Sequence, residues 1–365
     1  MTRLIIVGGF LGAGKTTTLN AISSRLLAEG KKVGLITNDQ AAELVDTVML
    51  QRDGRIIKEV SGSCFCCNFP GLQSAVDELI DSGADIILAE PVGSCTDLSA
   101  TILQPVKEML AKQVELAPLS VLVDPVRLRA IIDGETGGLA VSAAYIVRKQ
   151  LEEADIIAIN KRDILSPEEA EKLQQDAAGM FPQADIISFS AQEGTGLSEW
   201  LAKVLSTTVV GGHLTDVDYD IYAAGEAVLG WLNVTLELKT AGKEMAWKPF
   251  VTNYLKALAG TFADKGAGIG HVKLLLENGS GQVLANLTGA GAPLSVRGDD
   301  FQGDAVRLIV NARVEMAPGE LKELVMGGLT SVCDSNGIEK NVLALNCLQP
   351  GRPNPTYRYD KVFVA

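Results

Sequence analysis

Histidine is nearly absent from this sequence, which has only two histidines among its 365 residues. Two histidines at unsuitable positions do not support a Ser/His/Asp hydrolase, and any metal site must depend mainly on sulfur and carboxylate ligands. Long apolar runs are missing as well, since none approaches the roughly 18 residues that a membrane helix needs. The first apolar segment, residues 4–7, is shorter than the core of a signal peptide. The sequence therefore predicts a cytoplasmic protein without a membrane partner.

Basic residues are fewer than acidic ones, 32 against 45, so the formal net charge is −13. That charge excludes nucleic acid and anionic membranes as partners that are bound through bulk charge. It does not exclude a phosphate ligand, because backbone amides can bind phosphate without any net charge.

Cysteine is also scarce, and six cysteines are too few for a disulfide scaffold in a chain of this length. Three of them, Cys64, Cys66 and Cys67, fall within four residues, where they are poorly placed to pair with each other. The cluster therefore points to metal binding or thiol chemistry.

The length predicts two domains, and the first of them shows short β-branched runs that alternate with helical patterns. This alternation is typical of an open, mostly parallel α/β sheet with helices on both faces, whose ligands collect at the carboxyl ends of the strands. The predicted strands are residues 4–7, 33–36, 56–60, 85–89, 119–123, 155–159 and 185–189, and the predicted helices are residues 15–29, 72–82, 98–111, 140–153 and 168–180.

The pattern changes near residues 207–218, which we interpret as the link between domain 1–206 and domain 219–365. Apolar and polar residues alternate at 231–238 and 306–314, as in half-buried antiparallel strands. Helical patterns at 247–262 and 321–333 and a hairpin pattern at 272–287 predict a smaller α+β domain. Residues 351–355, Gly-Arg-Pro-Asn-Pro, predict an extended or turn segment that packs on the other domain.

Residues 9–16 fit the pattern G-x-x-x-x-G-K-[ST] between a predicted strand and a predicted helix, which indicates a phosphate-binding P-loop. Lys15 is expected to reach the β- and γ-phosphates of a nucleotide, and the Thr16 hydroxyl to hold Mg²⁺. The residues predicted to surround the phosphates are Gly9, Gly12, Ala13, Gly14, Lys15, Thr16 and Thr17.

A late strand ends in Asn160-Lys161-Arg162-Asp163, which fits N-K-x-D. A carboxylate such as Asp163 can accept hydrogen bonds from the N1 and N2 donors of guanine, a pair that adenine lacks. Ser190-Ala191, at the end of the next strand, resembles the short loop that closes over the base in GTPases. The sequence therefore predicts GTP rather than ATP, with Asn160, Lys161, Asp163, Ser190 and Ala191 around the base.

Two carboxylates follow strands on the same edge of the predicted sheet. Glu90 ends a central strand and is followed by Gly93, which suits a γ-phosphate sensor with a hold on Mg²⁺ or water. Asp39, after the second strand, is expected to position Mg²⁺ or the attacking water. The other interpretation is that either carboxylate caps the following helix. We predict Lys15, Asp39 and Glu90 as catalytic residues and Thr16, Asp39 and Glu90 as Mg²⁺ ligands.

The cysteine loop follows the third strand, on the side where the nucleotide is expected. Thiolates favour ions such as Zn²⁺, Cu(I) or Co²⁺. Cys64, Cys66 and Cys67 are too close together to complete a four-coordinate site without distortion, so Asp, Glu, His, water or a second subunit is expected to finish it. Cys95, just beyond Gly93, is either a further ligand or a small buried hydrophobic residue.

Four motifs, in this order, resemble those of the CobW-like P-loop GTPases, relatives of the nickel-insertion GTPases for urease and hydrogenase. They are Gly-Gly-Phe-Leu-Gly-Ala-Gly-Lys-Thr-Thr at 8–17, C-x-C-C at 64–67, E-x-x-G at 90–93 and N-K-x-D at 160–163. The resemblance covers roughly residues 1–205. It implies a P-loop NTPase fold, GTP-driven handling of a metal or a cobalamin cofactor, and a client metalloprotein or corrinoid protein. It leaves open a homodimer that depends on nucleotide or metal.

The sequence also departs from the family pattern N-E-F-G-E-x-G-x-D, which corresponds to residues 38–46. Asp39 replaces the first acid and Ala42 the second, Asp46 keeps the last place, and Glu43 is the available substitute.

The leading prediction is a slow GTPase that couples its nucleotide state to Zn²⁺ or Co²⁺ at the cysteine loop and delivers its cargo to a client. One alternative is a nucleotide-gated activator of a corrinoid methyltransferase system, with structural or redox-active thiols. The other is a small-molecule kinase.

Overall fold

A computed structural model describes residues 1–39, 45, 55–207, 210–289 and 291–363 of the chain. Asp39 is described as backbone only, so the predicted catalytic and metal-binding side chain of Asp39 lies outside the description. Ala42, Glu43 and Asp46, the other positions of the family departure, also lie outside the described residues.

The first part of the chain forms a sheet in which every described strand pair is parallel, in the order β3-β2-β4-β1-β6-β7-β8, with β5 also beside β1. Four central strands, β1, β4, β6 and β7, are buried along their whole length, as expected when helices cover both faces. The predicted open parallel sheet is therefore confirmed. The strands are β1 (Thr2–Gly9), β2 (Val33–Asp39), β3 (Ile56–Ser61), β4 (Ile86–Glu90), β5 (Val114–Leu116), β6 (Ser120–Val123), β7 (Ile156–Ile159) and β8 (Asp185–Ser188).

Helices cover this sheet, and most of them begin and end within a few residues of the predicted bounds. The predicted helix 98–111 differs, because it is a π-helical turn, Ser99–Leu103, followed by a short α-helix. Pro105 lies at the junction and cannot donate a backbone hydrogen bond, which interrupts the regular helical pattern. The helices are α1 (Lys15–Ala28), α2 (Phe69–Asp81), α3 (Gln104–Met109), α4 (Pro125–Ile132), α5 (Val141–Glu152), α6 (Pro167–Met180), α7 (Leu197–Ser206) and α8 (Tyr219–Ala227).

The second part is an antiparallel sheet in the order β13-β12-β11-β15-β9-β16, with two long helices, α9 and α10, that contact it. A two-stranded ribbon, β10 with β14, lies beside it. The predicted α+β architecture is confirmed. The elements are β9 (Leu229–Thr240), β10 (Met245–Ala246), α9 (Trp247–Asp264), β11 (Ile269–Asn278), β12 (Gly281–Leu287), β13 (Ser295–Arg297), β14 (Gln302–Gly303), β15 (Ala305–Glu315), α10 (Pro318–Asn336) and β16 (Ile338–Leu348).

The two parts share buried contacts. Helix α8 packs on α5 so closely that a Cβ at Gly225 would collide with the carbonyl of Ser142. Tyr222 of α8 and Trp231 of β9 belong to the same apolar cluster as the core of the parallel sheet. The division at 206/219 stays a prediction, and α8 packs with the first part.

No helix among the described residues combines the length and the apolar character that crossing a bilayer requires.

Candidate nucleotide and metal site

The loop between β1 and α1 has the backbone of an anion cradle. Gly9, Gly12 and Gly14 have φ angles of 125°, 80° and 93°, in the left-handed region that glycine adopts most easily. Gly14 precedes the first turn of α1, and that turn has no acidic residue. The amides at the start of α1 and the positive end of its dipole therefore favour a phosphate group.

Lys15, Thr16 and Glu90 meet at the floor of this cradle, and each is less than a tenth exposed. The Lys15 Nζ donates to the carbonyl of Gly9 at 2.8 Å and lies 3.9 Å from Glu90 Oε1. The Thr16 hydroxyl donates to both carboxylate oxygens of Glu90, at 3.0 and 3.1 Å. A hydroxyl and a carboxylate side by side are hard oxygen donors, so these residues fit Mg²⁺. The structure brings together three of the predicted residues, while their catalytic roles stay predictions.

The loop after β4 approaches the P-loop at Gly93. A Cβ at this position would lie 2.9 Å from Lys15 Nζ and 2.8 Å from Leu11 Cδ2, so no larger residue fits without displacement. Gln150 Nε2 donates to the carbonyls of Gly93 at 3.0 Å and of Cys95 at 2.7 Å. The segment from Glu90 to Asp97, here called the sensor loop, is therefore packed between the P-loop and α5.

Asn160 connects the N-K-x-D segment to two neighbouring loops. Its Nδ2 donates to the carbonyl of Ala13 at 2.9 Å, and its Oδ1 accepts from the backbone N–H of Lys161 and of Ala191, at 2.8 and 3.0 Å. Asn160 and Asp163 line one pocket beside the P-loop, and the side chain of Asp163 is exposed in its wall.

The remaining predicted base-site residues differ in what they contact. Thr17, Lys161 and Ala191 line the pocket. Ser190 is buried beside it, and its hydroxyl accepts from the N–H of Glu193, so this side chain shapes the turn.

Residues of the second part complete the wall of the nucleotide pocket, which sequence reasoning did not anticipate. The cavity around the P-loop, here called the phosphate cavity, is lined by His271, Lys273, Arg297 and Arg313. In addition, the hydroxyl of Thr288 accepts a hydrogen bond from Lys161 Nζ at 3.4 Å. They are isolated polar residues of β11, β12, β13 and β15 or the turns beside them, and only the packing of that sheet on the P-loop brings them together.

His271, one of the two histidines of the chain, lies in the wall of this cavity. Burial, together with the nearby cations of Lys273 and Arg313, holds the pKa of His271 well below its ordinary value. His271 is therefore a neutral part of the phosphate cavity wall.

Asn38, at the end of β2, holds the cysteine loop. Its Nδ2 donates to the carbonyls of Val60 and Ser63, both at 2.8 Å, and its Oδ1 accepts from the N–H of Phe65 at 2.8 Å. Asn38 also lines the phosphate cavity. One buried side chain thus connects the edge of the nucleotide pocket to the loop that carries the thiols.

The thiols of Cys64, Cys66 and Cys67 form a compact group whose sulfur atoms lie within 4.8 Å of one another. The Sγ of Cys66 lies 2.9 Å from that of Cys64 and 3.8 Å from that of Cys67. With Zn–S bonds of about 2.3 Å, two sulfurs of a tetrahedral site are about 3.8 Å apart, so the group has the size of a zinc site. The hydrogen bonds within the cluster lower the pKa of Cys64 and raise the pKa of Cys66 and of Cys95, so one thiolate is stabilised by protonated neighbours that a metal ion would have to deprotonate.

The extended segment 350–363, here called the C-terminal strap, covers the cysteine loop. The N–H of Thr356 donates to the carbonyl of Cys66 at 2.8 Å, and the N–H of Asn354 to the sulfur of Cys67 at 3.3 Å. Tyr357 packs edge-on against Phe69 with ring centroids 5.5 Å apart. The strap therefore packs on the first part of the chain, as the sequence predicts for residues 351–355.

Known proteins resemble the first half of the chain. A family model described as CobW/HypB/UreG, nucleotide-binding domain, matches residues 3–188. The zinc chaperone YeiR of Escherichia coli (strain K12) is 31% identical over 182 residues, 48% of this chain and 51% of YeiR. The zinc chaperone YjiA of the same organism is 29% identical over 188 residues, 50% of this chain and 55% of YjiA. The chain thus spans about half the length of these curated relatives.

Among solved structures, HypB from Helicobacter pylori in complex with nickel is 18% identical, with 56% of this chain and 86% of that chain covered at a TM-score of 0.41.

The family match covers just over half of the chain and runs from β1 to the end of β8. It contains the P-loop, the cysteine loop, the sensor loop and the N-K-x-D segment, whose geometry is described above. The resemblance inferred from the four sequence motifs is confirmed. The chain belongs to the CobW/HypB/UreG family of nucleotide-binding domains.

Proposed function

We propose that this protein is a GTP-hydrolysing metallochaperone that couples its nucleotide state to a thiophilic metal ion at Cys64, Cys66 and Cys67. Family membership and two relatives that are named zinc chaperones support the proposal. The observation that carries it is the position of Asn38, which lines the phosphate cavity and forms three hydrogen bonds with the residues around the cysteine loop. A change at the phosphates can therefore reach the thiols through one side chain.

The nucleotide chemistry follows from the residues at the floor of the pocket. Lys15 and the P-loop amides would bind the phosphates, and Thr16 and Glu90 would hold Mg²⁺. Mg²⁺, when bound, neutralises charge on the phosphates. Because Lys15 is buried and already oriented by the Gly9 carbonyl, little side-chain freedom is lost when it meets a phosphate. Asp39, Glu90 and Gly93 keep their proposed roles at the terminal phosphate.

Guanine specificity would come from Asp163 in the pocket wall. Asn160 uses its amide to hold the P-loop and the Ala191 loop in place, so it positions the base site. The exposed carboxylate of Asp163 is left to accept the paired N–H donors of guanine.

The cargo would be Zn²⁺ or a similar ion, since the chemistry of the donor set favours it. Buried sulfur ligands with few imidazoles nearby suit such an ion better than Mg²⁺ or Ca²⁺. The receiver would be a client metalloprotein. Co²⁺ as cargo, a corrinoid protein as client, a homodimer and a cytoplasmic location remain predictions from the sequence.

The test is hydrolysis of GTP and of ATP, each with and without added Zn²⁺ or Co²⁺. We expect hydrolysis of GTP in preference to ATP, a rate that changes with metal, and loss of that metal response in Cys66→Ala. The matched control is Cys333→Ala, a cysteine buried in the second part, which should respond to metal as the wild type does.

Two results would contradict the proposal. If the wild type neither binds metal nor changes its rate with metal, it is not a metallochaperone. Faster hydrolysis of ATP than of GTP would remove the role of Asp163.

A further inference from the structure

Cys95 is a buried thiol that the proposed function leaves without a role. It lies in the sensor loop, two residues after Gly93, and is 1% exposed. Cys95 belongs to the same cluster of buried side chains as Cys64 and Cys66, which come from the loop after β3. Two separate loops therefore contribute thiols to one buried region of the molecule.

Three thiols leave a four-coordinate metal one ligand short. Among the described residues, the ligand atoms grouped within 4.8 Å are those of Cys64, Cys66 and Cys67. Cys95 is outside this group but shares a buried cluster with two of its members, Cys64 and Cys66. Movement of the sensor loop toward the group would add its sulfur to the three.

Other side chains near Cys95 are less suitable as the fourth ligand. The carboxyl of Glu226 from α8 is engaged by the hydroxyl of Ser94 at 2.5 Å. His271 belongs to the wall of the phosphate cavity instead. Sulfur is also the donor that a thiophilic ion already held by thiolates prefers.

The sensor loop ties the position of Cys95 to the phosphate site. Gln150 Nε2 bonds to the carbonyls of both Gly93 and Cys95, so these two residues are held by one amide. At Gly93 the loop has no room to move toward Lys15, because even a Cβ would lie 2.9 Å from its Nζ. Because Gly93 and Cys95 share this amide, movement of Cys95 toward the other thiols would act on Gly93, which packs against Leu11 and Lys15 of the P-loop.

We propose that Cys95 is the fourth sulfur ligand of a four-thiolate site with Cys64, Cys66 and Cys67, and that its recruitment couples the metal to the sensor loop. The site would take Zn²⁺ or another thiophilic divalent ion. The thiol protons that metal binding displaces pass to solvent or buffer. The inference rests on the proposed function, since it requires that the cysteine loop binds metal.

The first test counts ligands in the full-length wild type loaded with Zn²⁺, by X-ray absorption at the zinc edge. We expect four sulfur neighbours at about 2.3 Å. Three sulfurs with one oxygen or nitrogen would overturn the role of Cys95 and leave the metallochaperone proposal standing. Absence of bound zinc would overturn both.

The second test uses Co²⁺ as a spectroscopic probe in Cys95→Ser and in the control Cys333→Ser. We expect Cys95→Ser to lose about a quarter of the thiolate-to-cobalt absorption and at least tenfold in Co²⁺ affinity, because one of four thiolates is missing. Cys333→Ser should match the wild type. Equal absorption and affinity in all three proteins would overturn the proposal.

A third readout separates coupling from simple ligation. GTP should change the Co²⁺ affinity of the wild type, and this effect should shrink in Cys95→Ser. An undiminished effect of GTP in that variant would overturn the coupling role of Cys95. If Cys95→Ser does not fold, as judged by circular dichroism, the sulfur count on the wild type decides the question.

Discussion

At the scale of single residues, the sensor loop is held by carboxyl groups in unusual surroundings. Glu153 is fully buried at the end of α5 and accepts from the Ser99 N–H at 2.8 Å and the Thr96 hydroxyl at 3.0 Å. Burial raises the pKa of Glu153 to about 8, with a smaller contribution from the charge of Asp97. Burial also raises the pKa of Glu226 to about 8. Both groups are therefore largely protonated in the folded protein at pH 7.

The raised pKa of Glu153 predicts how stability depends on pH. The folded state binds the proton more tightly than the unfolded chain, so the stabilisation is present below about pH 4.5 and is lost as the pH rises toward 8. Glu153 contributes a slope of at most about 1.4 kcal/mol per pH unit in that window. Glu153→Gln imitates the protonated acid, so we expect a smaller fall in the free energy of unfolding between pH 5.5 and pH 8. Urea unfolding followed by tryptophan fluorescence measures the free energy of unfolding at each pH.

Part of the slope should remain in this variant, because Glu226 titrates in the same direction. Glu171→Gln, at an exposed position of α6, is the control and should keep the wild-type slope. A Glu153→Gln slope equal to that of the wild type would contradict the prediction.

At the scale of elements, the C-terminal strap is the cover of the cysteine loop. The contacts that hold it include the Thr356 N–H on the Cys66 carbonyl and the Arg358 side chain on Asp97 at 2.7 Å. The N–H of Tyr359 also donates to the Ala100 carbonyl, at 3.1 Å. The strap therefore contacts both the cysteine loop and the segment after β4, so its removal should expose the half-buried thiol of Cys67.

A chain that ends at Gly351 lacks residues 352–363 of the strap and should alkylate faster at Cys67. We expect a several-fold higher rate with iodoacetamide, because the sulfur loses the Asn354 N–H and the chain above it. Peptide mass spectrometry measures the rate at each cysteine. Cys347 is the internal control, since its sulfur bonds to the Pro318 carbonyl and not to the strap. An unchanged rate at Cys67 would show that the strap does not protect it.

Elements with a strong local pattern could be predicted from the sequence, and the others could not. The parallel strands are short runs buried on both faces, and α6 begins with a Ser166–Glu169 capping box, so both carry their own signal. Strand β16 carries no such signal, because it is an edge strand with a bulge near Val342 and mostly exposed residues, which hide the alternation.

The residues of the candidate site also divide into those that belong to a local sequence motif and those that do not. The P-loop, the cysteine loop and the N-K-x-D segment are contiguous motifs, and their residues could be named before the fold was known. The sequence could not identify Lys273, Arg297 and Thr288 as pocket residues, because only long-range packing of the second sheet brings them to the pocket.

At the scale of the whole molecule, we expect α8 to belong to the same folding unit as the first part of the chain. Tyr222 and Glu226 of this helix are almost fully buried, and Glu226 accepts from Ser94 of the sensor loop. A chain of residues 1–206 lacks both side chains and exposes the face of α5 on which α8 packs. A chain of residues 1–228 keeps them.

We therefore expect residues 1–228 to be more stable than residues 1–206. Loss of one buried aromatic side chain costs roughly 2–3 kcal/mol, which corresponds to about 5–10 °C in the melting temperature of a domain of this size. Thermal melts followed by circular dichroism at equal concentration compare the two chains. Equal melting temperatures would place the boundary at residue 206, where the sequence pattern changes.

The sensor loop has Glu90 at its nucleotide end and Cys95 near its thiol end, and this has a thermodynamic consequence. Free-energy linkage between two ligands is reciprocal, so any factor by which GTP changes metal affinity is also the factor by which metal changes GTP affinity. If the proposed metallochaperone binds its metal more tightly with GTP, it must also bind GTP more tightly when the metal is bound. Retention of GTP would then indicate whether the metal ion is bound.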